Sequence, residues 1–350
     1  MYKRFSHNIR FLFLFVMCLF FSCEKADEYT SSPRENFEFL WKILDERYCF
    51  FEYKDIDWDE VHDRYSAYIT DTMNQFALFD TLGAMLNELK DGHTNLVSSF
   101  NTSRYWKWYE DYPRNFYQAV QENYLGTDYN ISGGLKYKRL ANGQVGYVYY
   151  DSFSSSVGES GLDYMFLHFI DSKGLIFDIR DNGGGTLTNC DIIASRFLDE
   201  KTHVGYLQYK TGKGHNDFSE PYAIYIEPAA DHIRWLRWVV VLTNRSCYSA
   251  ANDFVLKMKE MPYVTIMGDK TGGGSGLPFT SELPNGWGVR FSACPMLDKD
   301  KQHTEFGIDP DIRLDMDMND VAAGKDTYIE KAIEYILWKD SEAQKPEENP

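Results

Sequence analysis

The sequence predicts an α/β fold with a small helical domain at its N-terminal end, and two observations support this prediction. From Val145 onward, short apolar runs rich in β-branched residues alternate with stretches of helical periodicity, which is typical of a sheet covered by helices. Before that point, residues 35–90 carry apolar side chains at helical spacing. With 350 residues, the chain is long enough to bury a large core.

The chain begins with the pattern of a secretory signal. Three basic residues precede the apolar run 11–21, which is too short for a spanning helix. The run ends in a small residue followed by Cys23, as at a bacterial lipoprotein cleavage site. The alternative is an ordinary signal peptide with a chance cysteine. We predict a signal peptide over 1–22 and a lipidated tether over 23–34, which would anchor the protein to the outer membrane on its periplasmic or its outer face.

Charge and cysteine content exclude several classes of partner. Removal of residues 1–22 takes the formal net charge from −17 to −20. A body this acidic repels nucleic acid and anionic membrane surfaces, so the lipid is the only membrane contact that we predict. Beyond Cys23, four cysteines remain and none forms a C-x-x-C pair, which argues against a zinc site. One or two disulfides and buried free thiols both stay open. We expect no metal and no cofactor.

The elements of the N-terminal domain follow from apolar periodicity. Three helices are predicted, over 35–48, from about 57 to 69 and from about 74 to 89. The turn signal Asp91-Gly92 ends the third helix. We therefore place the helical domain at 35–96.

A connecting segment over 97–144 precedes the main core. It is rich in aromatic residues with weak periodicity, and short strands and loops are predicted there. Its aromatic run 105–109 packs in the core or, less simply, lines a site. The core is predicted at 145–338 with a last helix over 328–338, and the polar tail 339–350 is predicted to be disordered. The core elements are strands at 146–150, 175–179, 239–242 and 264–267, with helices near 157–171, 188–198 and 249–260.

Two strand-to-helix segments carry the groups that acyl transfer needs. The segment 174–185 ends in three glycines, which leave backbone N–H groups unshielded. The segment 239–254 places Ser249 at the start of a helix, where free N–H groups can hold an oxyanion. The simpler alternatives are a tight turn for the glycines and an N-cap role for the serine. A phosphate loop is excluded because neither glycine run continues as G-K-[ST].

A histidine and further motifs complete a recognisable set. His93 follows the Asp91-Gly92 turn; taken singly, a surface or capping histidine is the simpler interpretation. Together, these motifs resemble the C-terminal processing (tail-specific) family of serine peptidases, with its tricorn-core and retinoid-binding relatives. The family motifs D-x-R-x-N-G-G-G, S-A-x-E, G-x-x-T-x-G and G-[IV]-x-P-D match 178–185, 249–252, 268–273 and 307–311, in family order.

Within the family, the resemblance is to the tricorn-like branch. The larger branch uses a Ser–Lys dyad, but its lysine position holds Gly274 in this chain. The tricorn-like branch uses a histidine from a D-G-H-T segment and a glutamate before G-[IV]-x-P-D, and both are present. The resemblance therefore implies Ser249 as nucleophile and His93 as general base. It implies that Glu305 orients or supports the site, either directly or through another side chain. It implies oxyanion donors from Ala250 and from Gly183 or Gly184.

The resemblance implies a ClpP/crotonase-like ββα core, and two departures qualify it. Asn252 replaces the usual glutamate of S-A-x-E. The segment 97–144 is too short for a full PDZ insert, which usually takes ~80–100 residues. The expected function is serine endopeptidase action on peptides or unfolded proteins. A non-catalytic relative that binds peptide or a small apolar ligand in the same cleft is the alternative. Action on glycans is disfavoured because no carboxylate pair stands out.

Overall fold

The computed structural model of the chain describes residues 30–110 and 112–344. The predicted signal peptide, Cys23 and most of the predicted tether lie outside these residues. The N-terminal part forms three helices, as predicted: α1 (Pro33–Arg47), α2 (Trp58–Ser66) and α3 (Gln75–Asn87).

Each of these helices begins at a polar capping residue. Ser32, Asp57 and Asn74 accept hydrogen bonds from backbone N–H groups of the first turn. Such bonds satisfy N–H groups that have no partner within the helix. The cap at Ser32 starts α1 inside the segment predicted as tether.

The connecting segment contains strands and one helix that periodicity does not reveal. The helix α4 is short and amphipathic only weakly, with two buried residues, Gln121 and Leu125. A short 3-10 turn, Ala141–Gly143, leads into the core. The elements are β1 (Asn95–Val97), β2 (Thr102–Arg104), α4 (Gln118–Leu125), β3 (Asn130–Ser132) and β4 (Leu135–Leu140).

The described part of the core contains every strand and helix predicted for it, together with elements that were not predicted. The unpredicted elements are five strands (Thr202–Leu207, Tyr222–Ile226, Gly276–Glu282, Gly288–Leu297 and Ile312–Arg313) and the short helix Met318–Ala322. In chain order, the elements are β5 (Val145–Tyr149), α5 (Glu159–His168), β6 (Gly174–Asp178), α6 (Leu187–Ala194), β7 (Thr202–Leu207), β8 (Tyr222–Ile226), β9 (Trp238–Thr243), α7 (Ala250–Met258), β10 (Val264–Gly268), β11 (Gly276–Glu282), β12 (Gly288–Leu297), β13 (Ile312–Arg313), α8 (Met318–Ala322) and α9 (Thr327–Ala343).

Two sheets organise the molecule. The first has the order β13-β10-β9-β6-β5-β4-β3, and its strands from β13 to β5 are parallel. The second has the order β2-β1-β12-β7-β8, with β11 also paired to β12. This mixed α/β architecture confirms the predicted fold class. No PDZ insert is evident in the residues that the structure describes between the helical part and the core, also as predicted.

Alternation of side chains along the parallel strands builds a core on each face of the first sheet. On β6, Leu175 and Phe177 pack in the cluster that includes α5, α6 and α7, whereas Ile176 packs on the other face against α9. A third cluster joins the N-terminal helices to the second sheet, where Leu86 and Phe291 belong to one apolar core. The helical part is therefore packed directly onto the second sheet.

The predicted disordered tail begins too early. Helix α9 continues to Ala343, beyond the predicted boundary at 338. Its last turns are held by an ion pair between Asp340 and Lys173 at 2.9 Å and by Lys339, whose ammonium lies 5.0 Å from the ring centre of Trp238. A polar sequence therefore stays helical here because long side chains reach back to the sheet.

Helices of membrane-spanning length and apolar character are absent from residues 30–110 and 112–344.

Candidate active site

Ser249 lies in the sharp turn between β9 and α7. Its backbone has φ 58° and ψ −120°, a conformation that a residue with a Cβ adopts only under constraint. The side chain makes no capping hydrogen bond to α7. The N-cap interpretation of this serine is therefore wrong. A strained serine at a strand-to-helix turn, whose hydroxyl has no hydrogen-bond partner among the described residues, matches the pattern that nucleophilic serines show in other hydrolases.

The turn of three glycines is held against Ser249 by Asn182. The Asn182 amide donates to the carbonyl of Tyr150 at 2.8 Å, and its oxygen accepts the N–H of Gly184 at 2.9 Å. Gly184 has φ +100°, and a Cβ built there would lie 2.8 Å from the Cβ of Ser249. Gly184 thus provides room for the serine turn while its own N–H is engaged.

Two other N–H groups near the serine remain available. The Ala250 N–H begins α7 and has no acceptor among the described residues. The N–H of Gly183 likewise finds no acceptor within the described part of the chain, and the space beside its Cα is open. The geometry therefore favours Gly183 over Gly184 as the second oxyanion donor.

The charged residues before the glycines have a structural role. Arg180 is fully buried and binds Asp178 at 2.6 Å and Asp326 at 3.0 Å. These bonds fix the end of β6 to the start of α9. The two carboxylates satisfy the buried guanidinium, which would otherwise be very costly to bury.

His93 is placed by the turn that precedes β1. Its backbone N–H donates to the Asp91 carboxylate at 2.8 Å, and its ring centre lies 5.1 Å from that of Tyr248, the neighbour of Ser249. Gly92 leaves room for this approach, since a Cβ there would lie 2.8 Å from the hydroxyl oxygen of Tyr248. Each residue of the motif Asp91-Gly92-His93 thus contributes to the position of the imidazole.

A buried lysine that the sequence analysis did not identify connects this turn to Glu305. The Lys54 ammonium lies 2.8 Å from Oε1 of Glu305 and 3.6 Å from Oδ2 of Asp91. The second oxygen of Glu305 accepts the N–H of Ser275 at 2.9 Å. All three charged side chains are at most 4% exposed. Glu305 is therefore buried rather than an exposed loop residue, and it reaches His93 through Lys54 and Asp91.

Burial and these charges shift the pKa values of the site. The pKa of His93 is lowered to about 4, mainly by burial and also by the positive charges of Arg290 and Lys54, which together outweigh the opposing effects of Asp91 and of a hydrogen bond to the backbone of Gly276. Burial raises the pKa of Glu305 to about 7, although Lys54 opposes the shift. Burial also acts to raise the pKa of Asp91, but Lys54 and His93 outweigh it and the pKa is lowered. His93 is thus a neutral base at pH 7.

Ser249 and His93 line one cavity of about 210 Å³. No hydrogen bond joins their side chains in the described structure, and Nδ1 of His93 is buried without a partner there. Hydrogen bonds between catalytic groups are often long or absent without substrate. The apolar part of the wall consists of Leu187, Leu256, Leu277, Pro278 and Met296.

The structure explains the departures from the family motifs. Gly274 has φ +76°, and a Cβ there would lie 2.4 Å from the Tyr248 ring, so a lysine has no room at the dyad position. Asn252 accepts the Thr271 hydroxyl at 2.6 Å, and Thr271 in turn accepts the N–H of Ile308 at 2.7 Å. The amide of Asn252 thus ties α7 to the loops around the cavity.

Two other groups singled out from the sequence lie beside the site. Trp108 of the aromatic run stacks on Tyr248 at 4.2 Å between ring centres, so this run is not core packing, and Trp106 is 39% exposed. His303 stacks on Tyr53 at 4.3 Å and is not among the cavity residues.

The four cysteines within the described residues are structural thiols. All four are free, and Cys49, Cys190 and Cys247 are buried. Burial raises the pKa of the Cys247 thiol far above its usual range, which excludes a thiolate nucleophile two residues before Ser249.

Comparison with known proteins gives the family of the chain. The profile described as "Peptidase family S41" matches residues 144–314, and that of the "Tricorn protease C1 domain" matches residues 29–87. The chain belongs to peptidase family S41. A crystal structure of a candidate peptidase from Parabacteroides merdae is 66% identical, covers 88% of this chain and 98% of that one, and has a TM-score of 0.84.

Curated relatives agree with this family. The chain is 26% identical over 220 residues to a tricorn-like protease C-terminal subunit assigned in Sulfurisphaera tokodaii. The aligned residues make up 62% of this chain and 24% of that protein. It is 24% identical over 182 residues to the carboxy-terminal processing protease CtpA of Bacillus subtilis. These residues make up 51% of this chain and 37% of that protein. The chain thus spans well under half the length of these curated relatives.

Proposed function

We propose that the protein is a serine endopeptidase in which Ser249 forms an acyl-enzyme with His93 as general base. The observation that carries this proposal is the state of Ser249: a strained backbone and an unengaged hydroxyl in the cavity that His93 also lines. A hydroxyl becomes an effective nucleophile only when a neutral base can take its proton. The lowered pKa of His93 supplies such a base at neutral pH.

The steps follow from the positions of these groups. The Ser249 oxygen attacks the carbonyl carbon of the scissile bond as its proton passes to the His93 imidazole. The N–H groups of Ala250 and Gly183 donate hydrogen bonds to the carbonyl oxygen and stabilise the negative charge that forms on it. Collapse breaks the C–N bond, and the imidazolium returns the proton to the leaving amine. Water, deprotonated by the same imidazole, then cleaves the acyl ester and restores the serine.

Glu305 acts in this mechanism as a positioning residue. It holds the Ser275 N–H on one side of the cavity and Lys54 on the other. Lys54 also reaches Asp91, whose carboxylate fixes the backbone of His93. The glutamate therefore fixes the position of His93 relative to the cavity wall without touching the reacting atoms.

Covalent labelling tests the proposal. A fluorophosphonate should label the wild-type protein, and mass spectrometry should place the label on Ser249. Labelling should be lost in Ser249→Ala and strongly reduced in His93→Ala, whereas the control Ser341→Ala, on α9 and not among the cavity residues, should be labelled normally. If folded wild-type protein is not labelled, the binding alternative is favoured; if Ser249→Ala is still labelled, the assignment of the nucleophile is wrong.

We also propose that the protein is a lipoprotein of the cell envelope, anchored through Cys23. The support is the apolar run 11–21 followed by Ser22 and Cys23. Metabolic labelling with an alkyne fatty acid should mark the wild-type chain and not Cys23→Ser. Equal labelling of both would refute the anchor, and secretion of an unlabelled mature protein would indicate an ordinary signal peptide.

A further inference from the structure

Arg290 lines the same cavity and has no partner of its own. It is partly buried, yet no residue in the described ranges gives it a hydrogen bond, a carboxylate or an aromatic ring. By contrast, the fully buried Arg180 and Arg196 each bind two carboxylates: Arg180 binds Asp178 and Asp326, and Arg196 binds Glu159 and Asp163. In a chain with 53 acidic and 36 basic residues, a half-buried arginine without a carboxylate is unexpected.

The backbone of Arg290 is held firmly beside the base. It lies within β12, opposite Asn95 of β1 on one side and Thr280 of β11 on the other. Strand β1 follows His93 directly, so Arg290 and the imidazole are carried by paired strands. The positive charge of Arg290 contributes to the lowered pKa of His93, and it opposes the rise that burial causes in the pKa of Tyr248, in keeping with this proximity.

The other charged group on the cavity wall is paired through one of its two oxygens. Asp253 is buried, and its Oδ2 binds the Lys257 ammonium at 2.5 Å. Its Oδ1 has no hydrogen-bond partner among the described residues, and Lys257 is the cation with which Asp253 forms its ion pair there. The cavity therefore presents one unpaired guanidinium next to apolar walls, before any substrate binds.

We propose that Arg290 binds a carboxylate of the peptide substrate close to the scissile bond, and so determines specificity. A guanidinium recognises a carboxylate through two parallel charge-assisted hydrogen bonds. The carboxylate comes from one of two sources, the free α-carboxylate at the end of a peptide or the side chain of Asp or Glu. The apolar wall, which includes Leu187 and Met296, accepts a neighbouring apolar side chain. This inference rests on the proposed function, since it names the substrate of the same site.

Matched peptides test the inference and separate the two sources. One pair differs only in a C-terminal acid or amide, and a second pair differs only in Glu or Gln beside the cleaved bond. At pH 7.5, the wild-type kcat/KM should be about 10- to 100-fold higher for the peptide with the carboxylate than for its neutral counterpart in one of the two pairs. Arg290→Gln should bring this ratio near one and Arg290→Lys should retain part of it. The control Arg234→Gln, which removes an exposed arginine of the same charge, should keep the full ratio.

Binding to the Ser249→Ala variant decides the inference without catalysis. The ratio of dissociation constants for the acid and neutral peptides should also be about 10- to 100-fold and should fall near one when Arg290→Gln is added. A wild-type ratio near one for both peptide pairs would overturn the inference, as would a ratio that survives Arg290→Gln. If no peptide is cleaved and no fluorophosphonate label forms, the proposed function fails, and these binding ratios still test Arg290.

Discussion

Replacement of Lys54 by methionine tests the buried network that links Glu305 to His93. The variant keeps the aliphatic stem and removes the only ammonium that contacts both Asp91 and Glu305 among the described residues. Removal of one partner from a buried ion pair usually costs about 3–5 kcal/mol. Glu305 can relieve part of this by taking up a proton, because its pKa is already raised to about 7. We therefore expect a loss of about 3 kcal/mol in the free energy of unfolding at pH 8, and less at pH 5.5.

The direction of this pH dependence follows from Glu305. Its folded pKa of about 7 lies above its ordinary value of 4.5, so the folded protein holds this proton more tightly than the unfolded chain does. The resulting stability is present below pH 4.5 and is lost as the pH rises through 7. Without Lys54 the folded pKa rises further. The variant should therefore lose up to ~1.4 kcal/mol more at pH 8 than at pH 5.5, the equivalent of one pKa unit.

Urea unfolding monitored by tryptophan fluorescence at both pH values measures these losses. The control Lys201→Met removes an exposed ammonium whose partner is Glu227 at 2.9 Å, and it should leave the unfolding midpoint unchanged. The double variant Lys54→Met/Glu305→Gln should recover part of the loss. The reasoning is refuted if Lys54→Met behaves like Lys201→Met, or if its loss is the same at pH 5.5 and pH 8.

Three further outcomes are expected. In a pH profile, kcat/KM should rise through about pH 4 as His93 loses its proton and again through about 7 as Glu305 ionises, and Glu305→Gln should remove only the upper step. Gly184→Ala should slow fluorophosphonate labelling at least ~10-fold at unchanged circular dichroism, because its Cβ would lie 2.8 Å from that of Ser249; normal labelling would show that the turn relaxes. Trp108→Ala should lower kcat/KM several-fold through loss of a stacking contact of about 0.5–1.5 kcal/mol; unchanged kinetics would exclude a supporting role.

The parallel sheet could be predicted from the sequence because its strands are continuous apolar runs. Strand β9, Trp238–Thr243, is buried on both faces and therefore needs no polar side chains. The second sheet was missed because β11 alternates between half-buried and exposed residues and contains Pro278, which is unfavourable within a strand. Such strands depend on partners far away in the sequence, and local periodicity does not show those partners.

The candidate site was predicted only in the parts that lie within motifs. Ser249 and His93 follow recognisable turns, and the structure brings both to one cavity. Lys54 and Arg290 stand in no motif, and their importance comes from burial and from which charges surround them. The aromatic run 48–53 before Lys54 is a weak indication of this role, since it predicts that the lysine lies in a buried environment.

The attachment of His93 and Ser249 to different cores has a consequence for how activity arises during folding. His93 precedes β1 of the second sheet, which packs with the N-terminal helices, whereas Ser249 follows β9 of the first sheet. Under the proposed mechanism, a half-folded chain holds either a base or a nucleophile but not both in register. Under that mechanism, peptide cleavage would require both sheets to be folded and packed against each other.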